Sequence, residues 1–135
     1  MKVLKIRKKM LILGGLILMV LLSDVISAQS LQQNDANKSW NTFWIKFNTA
    51  VKTKNRKSVI ALTSKKFFSP SGETIGQLLD QRYMWNLLKD SVKTGTKFHT
   101  CRKLPCRITR NQVVESSLLF VFENNRWSFI GQLGE

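Results

Sequence analysis

The sequence predicts an α+β domain, with helices in its first half packed in a curved, mostly antiparallel sheet that ends in a β-hairpin. Three observations predict it. Trp40, Phe43, Trp44, Phe47 and Val51 recur at i, i+3, i+4, i+7 and i+11, the one-sided stripe of an amphipathic helix. From Thr96 onward the apolar period falls toward two, the period of a strand. Finally, residues 113–123 and 126–133 flank Asn124-Asn125, a two-residue connection whose side chains tolerate the positive φ of a type I′ hairpin.

The chain opens with a segment that stands apart from this domain. Lys2, Lys5, Arg7, Lys8 and Lys9 precede an apolar run from Met10 to Leu22, and a short polar stretch then ends in Ile26-Ser27-Ala28. This is the layout of a signal peptide over residues 1–28, since a membrane span needs roughly 20 apolar residues. Asp24 directly after the run favours cleavage near Ser27 or Ala28 over an uncleaved anchor. No cysteine lies nearby to take a lipid. The expected product is exported, periplasmic or extracellular, and touches a membrane only through its signal peptide.

Residues 29–38 are polar, lack an apolar period and are expected to form a flexible lead-in to a domain spanning 39–135. Ser39 is placed to cap the first helix. The basic run Lys52-Thr-Lys-Asn-Arg-Lys57 suits a helix C-terminus, with Asn55 a residue that can end it in the left-handed conformation. Residues 58–63 then read as a short second helix. Pro70 and Gly72 break the helical pattern, leaving Phe67 and Phe68 as a plug into the core.

Thr74-Ile-Gly-Gln77 fits a capping box and starts a third helical region. Ile75, Leu78 and Leu79 lie out of phase with Met84, Leu87, Leu88 and Val92, so this region is two short helices or one kinked near Asp80 to Arg82. Gly95 is its stop. One or two strands follow around Leu104–Ile108, with Pro105 confined to an edge, a strand start or a bulge. Counting outward from the Asn turn pairs Glu123 with Arg126, Phe122 with Trp127, Val121 with Ser128 and Phe120 with Phe129.

Charge bounds the partners. The chain carries 22 Lys and Arg against eight Asp and Glu; removing residues 1–28 takes five of the former and one of the latter, leaving 107 residues near +10. Such an excess attracts anions, among them components of the cell envelope, although a basic surface also serves solubility alone. Two stretches lack acids altogether: the segment between Asp35 and Glu73, and the segment between Asp90 and Glu115. In the second, Arg102, Lys103, Arg107 and Arg110 are the candidate anion-binding residues. With no aromatic residue interleaved in this second stretch beyond Phe98, and no phosphate-cradling glycine loop, nucleic acid is not an expected partner.

Cys101 and Cys106 are the only cysteines. In an oxidising compartment so close a pair reads as a disulfide clamping the intervening loop. With His99 it offers three metal ligands, one short of a structural zinc site, and its spacing is not that of a redox dithiol. No metal or cofactor is expected.

The order of elements, with Phe43-Trp-Ile-Lys-Phe-Asn-Thr-Ala-Val51 in the first helix and Leu119-Phe-Val-Phe-Glu-Asn-Asn-Arg-Trp-Ser-Phe129 in the last hairpin, resembles the nuclear transport factor 2-like superfamily. The likeness is to small exported bacterial members of unassigned function. It implies the cone-shaped, cystatin-like fold shared with ketosteroid isomerases, enclosing a pocket that is catalytic in some members and a binding cavity in others, and it implies frequent homodimers. On this reading a ligand pocket draws on Trp44, Phe47, Tyr83, Phe120, Phe122 and Trp127.

An isomerase of this fold needs a carboxylate base in an apolar cone and a tyrosine or protonated acid facing the oxyanion. Only Tyr83, Asp80, Asp90 and Glu115 are candidates, and none of the acids is embedded in an apolar pattern. The expected function is therefore an exported, non-catalytic binding or interaction module whose partner is a protein or a small apolar ligand. Two alternatives stand beside it: a small isomerase or dehydratase, and an electrostatic binder of anionic envelope components.

Overall fold

The protein's structure, a computed structural model, describes residues 28–110 and 116–134. Residues 1–27, which hold the expected leader, and Glu115 lie outside them. The chain divides into two compact units, and the second, Asp35–Glu135, holds the sheet.

The first helix, α1, covers residues 28–52. Its expected stripe is buried: Trp40, Phe43, Phe47 and Val51 all face the core, joined by Ala36 and Ala50. Residues 29–38, expected as a lead-in, are helical. Ser39 is accordingly not a cap, and its hydroxyl donates back to the carbonyl of Asp35 at 2.8 Å. The stripe in fact continues one turn earlier as Ala36, too small a residue to announce itself. At the other end Lys54, not Asn55, takes the left-handed conformation, with φ 50°. Asn55 is extended and caps the next helix, α2 (Arg56–Ala61), by accepting from the amide of Ser58.

The chain then enters β1 (Thr63–Phe68), a strand where a plug was expected. Phe67 is half-buried with its ring 5.3 Å from that of Phe129, while Phe68 is largely exposed. Two helices follow, α3 (Ile75–Leu79) and α4 (Arg82–Thr94). The expected capping box closes α3: the Thr74 hydroxyl accepts from the Gln77 amide, and the Gln77 side chain accepts from the Thr74 amide. Gly95 ends α4 at φ 71°, a conformation that favours glycine.

Four strands complete the sheet: β2 (Thr96–Cys101), β3 (Leu104–Thr109), β4 (Ser116–Glu123) and β5 (Arg126–Gly134). The order is β1-β5-β4-β3-β2. Neighbours are antiparallel except β1 and β5, which run parallel and make the sheet mixed. Strands β4 and β5 pair as the Asn turn predicts, from Glu123 opposite Arg126 to Phe120 opposite Phe129. Beyond Phe129 the register shifts, and Leu119 faces Gly131. Asn124 and Asn125 supply the positive φ, at 52° and 58°.

The core lies between α1, α4 and the inner face of the sheet. Leu118, Phe120, Phe122, Trp127 and Phe129 come from the sheet, and Met84, Leu87, Leu88 and Val92 from α4. The indole of Trp127 donates to the carbonyl of Ala36 at 2.8 Å, a buried bond that pins β5 beneath α1.

Candidate functional site

Five of the six residues expected to line an apolar pocket, Trp44, Phe47, Phe120, Phe122 and Trp127, are brought together, but as packed core. Phe47 and Phe120 are fully buried with ring centres 5.0 Å apart. Trp44 stands edge-on to Phe120 at 5.6 Å. Phe122 packs on Trp127 at 5.5 Å. Rings in such contact leave no room for a ligand among them. Tyr83 is not part of this cluster: it projects from α4 and is half-exposed. The acids that chemistry would need are occupied elsewhere. Asp80 pairs with Arg56 at 3.3 Å, and Asp90 with Lys93 at 3.1 Å.

The four candidate anion-binding residues do not converge either. Arg102 and Lys103 form the two-residue turn between β2 and β3, at φ 48° and 70°. The turn is bracketed by the Cys101–Cys106 disulfide, with Cα atoms 5.7 Å apart. Arg110 follows the other end of β3, its amide bonded to the carbonyl of Gly95. At about 3.3 Å per strand residue, some 20 Å of strand separates it from the turn. Arg107 points instead to the inner face of the sheet, its guanidinium carbon 4.8 Å from the ring centre of Trp40 and 5.7 Å from that of Phe98. Its Nε is buried and has no hydrogen-bond partner. Burial pulls its pKa below the usual arginine value.

A different constellation emerges on the outward side of α1. A groove of about 390 Å³ runs between α1 and α2, floored by Ala50, Ala61 and Leu62 and edged by Ile45 and Lys46. A second groove, of about 370 Å³, continues it toward Arg126 and Trp127. The two share Lys46, Ala61 and Leu62. Along α1 they extend from Ser39 to Thr53, about 20 Å at the helical rise. Ile45 is 59% exposed at its rim.

The charge around this groove is of one sign. No Asp or Glu occurs from residue 36 to residue 72, and the residues that line both grooves include Lys46 and Arg126 but no acid. Arg56 and Lys66 are held by Asp80 and Glu123. Lys38, Lys46, Lys52, Lys54 and Lys57 are exposed and enter none of the ion pairs among the described residues. Arg126 joins them because its expected partner is taken: the Glu123 carboxylate faces Lys66, whose ammonium sits 2.8 and 3.0 Å from its two oxygens.

No family model, curated protein or solved structure matches the chain. Site and function therefore rest on chemistry alone. Among the described residues no helix is long and apolar enough to cross a membrane, and no cluster of three or more His, Cys, Asp or Glu is placed to hold a metal ion. The sequence marked Lys46 as part of an acid-free stretch but did not single out Ile45 or Arg126. A signal for Ile45 was present: it is a large apolar residue out of phase with the buried stripe, next to a lysine.

Proposed function

We propose that the protein is an exported, non-catalytic binding module that docks on anionic amphiphiles of the cell envelope through the outward face of α1 and α2. The observation that carries this reading is the continuous groove with an apolar floor, an exposed isoleucine at its rim and cations that lack internal counter-ions. A lysine stem lies along apolar surface while its ammonium seeks an anion. Near an anionic bilayer each such cation contributes about 1 kcal/mol, and burying one isoleucine adds about 2 kcal/mol. Five or six cations with Ile45 thus sum to about 7–8 kcal/mol, binding in the low micromolar range at low salt and steeply weakened as salt rises.

The nuclear transport factor 2-like reading belongs with this proposal. What supports it is the order of elements, with an aromatic amphipathic helix first and an antiparallel pair across Asn124-Asn125 last. A cone with an open apolar pocket gains no support from the packed rings, and an isomerase gains none from an exposed Tyr83. The outer face of the sheet, where half-buried Ile108, Leu119 and Ile130 surround Val121, is the surface we assign to a homodimer.

Co-sedimentation with vesicles tests the function. Vesicles containing phosphatidylglycerol should bind the protein at low salt and release it at high salt, while phosphatidylcholine vesicles should not bind it. The double variant Ile45→Ser, Lys46→Glu should retain its fold and lose most of the binding. Equal binding to both vesicle types, or none to either, would rule the reading out.

A further inference from the structure

We propose that Arg107 is the receptor for the carboxylate of a small apolar ligand that lodges against Phe98 on the inner face of the sheet. This site is separate from the α1–α2 groove and does not depend on it. Arg107 stands on β3 opposite Phe98 of β2 and Phe120 of β4. Phe120 is sealed in the core, whereas Phe98 is half-buried on β2, the strand at the sheet's edge.

The guanidinium is held by rings and by nothing else. Trp40 and Phe98 both approach it, and none of the ion pairs or side-chain hydrogen bonds among the described residues includes it. Aromatic faces satisfy its charge but leave its N–H groups without acceptors. The buried Nε–H is one arm of the fork that arginine offers to a carboxylate. A partner bringing two coplanar oxygens would satisfy that arm and a neighbouring Nη–H together. The surroundings select the remainder of the ligand: Phe98 and Trp40 present apolar surface, and no acid lies opposite Arg107 on either neighbouring strand. A hydrated inorganic anion matches such walls poorly, and an aromatic or alicyclic carboxylate matches them well.

The test reads the atom itself. In a nitrogen-15 spectrum of arginine side chains, the Nε–Hε signal of Arg107 is assigned by its loss in Arg107→Lys. Titration of the wild-type protein with 2-naphthoate should move that signal saturably, and the neutral isostere 2-naphthamide should leave it in place. Arg107→Lys should bind 2-naphthoate at least tenfold more weakly, measured by calorimetry, because a point charge replaces the fork. If no arginine signal moves with 2-naphthoate, or if the amide moves it equally, the assignment is overturned. A shift produced by inorganic phosphate but not by 2-naphthoate would overturn the ligand class. If the variant fails to fold, the Nε–Hε signal is assigned instead by through-bond correlation to the Arg107 backbone amide, and the wild-type titration then decides the matter.

Discussion

Replacing Phe120 separates a filled core from a ligand-lined cone. The side chain is fully buried and meets five rings, with centres at 5.7 Å (Trp40), 5.9 Å (Phe43), 5.6 Å (Trp44), 5.0 Å (Phe47) and 5.4 Å (Phe129). Phe120→Ala removes the ring from the centre of that cluster, and large neighbours cannot collapse inward to fill the space. The expected loss is about 3–5 kcal/mol, a large share of the roughly 5–15 kcal/mol that holds a domain folded. Phe120→Leu keeps the volume partly filled and should cost about 1–2 kcal/mol. Urea unfolding followed by tryptophan fluorescence gives both values, with the slope unchanged if the variants unfold in one step. Should Phe120→Ala cost under about 1 kcal/mol at an unchanged slope, the rings border a void and the packing argument fails.

Three further perturbations have definite outcomes. A Cβ on Gly131 would sit 2.4 Å from the backbone carbonyl oxygen of Phe68, so Gly131→Ala should push β1 from β5 and lower stability by about 1–3 kcal/mol, with amide exchange rising first in β1. Reducing the Cys101–Cys106 disulfide, which closes a short loop across a sequence separation of 5, should lower the urea midpoint by an amount equivalent to about 2 kcal/mol, read with and without dithiothreitol. Thr74→Ala removes the hydroxyl that accepts from the Gln77 amide at 3.3 Å and should cost about 1 kcal/mol in thermal unfolding.

The parts of the fold that were legible share a cause: each is written in residues close together. The stripe from Trp40 to Val51, the Thr74 to Gln77 box and the Asn124-Asn125 turn all need only local geometry. Strand β1 was not legible, since Lys65 and Lys66 are exposed and Phe67 is its only apolar residue packed against the core. Charged residues on an edge strand blunt unwanted pairing and at the same time erase the alternation by which strands are recognised. The site was less legible still. Whether Phe120 borders a cavity depends on the distance between α1 and the sheet, and the choice of Lys66 over Arg126 by Glu123 depends on β1 arriving beside β5. Arg107 belonged to a basic run in the sequence, yet its register on β3 turns it toward Trp40 and away from its neighbours in that run.

The parallel pairing of β1 with β5 also carries a message about time. A chain synthesised only as far as Asn125 has already made β1, but the strand that β1 must join does not yet exist. Residues 63 and 129 are Cα partners, and closing so long a loop is slow compared with forming a helix or a hairpin. Helix α1 likewise lacks the indole of Trp127 that anchors it through Ala36. Strand β1 can therefore join the sheet only after β5 has been made. A nascent polypeptide of this design cannot complete its sheet until its final strand is available.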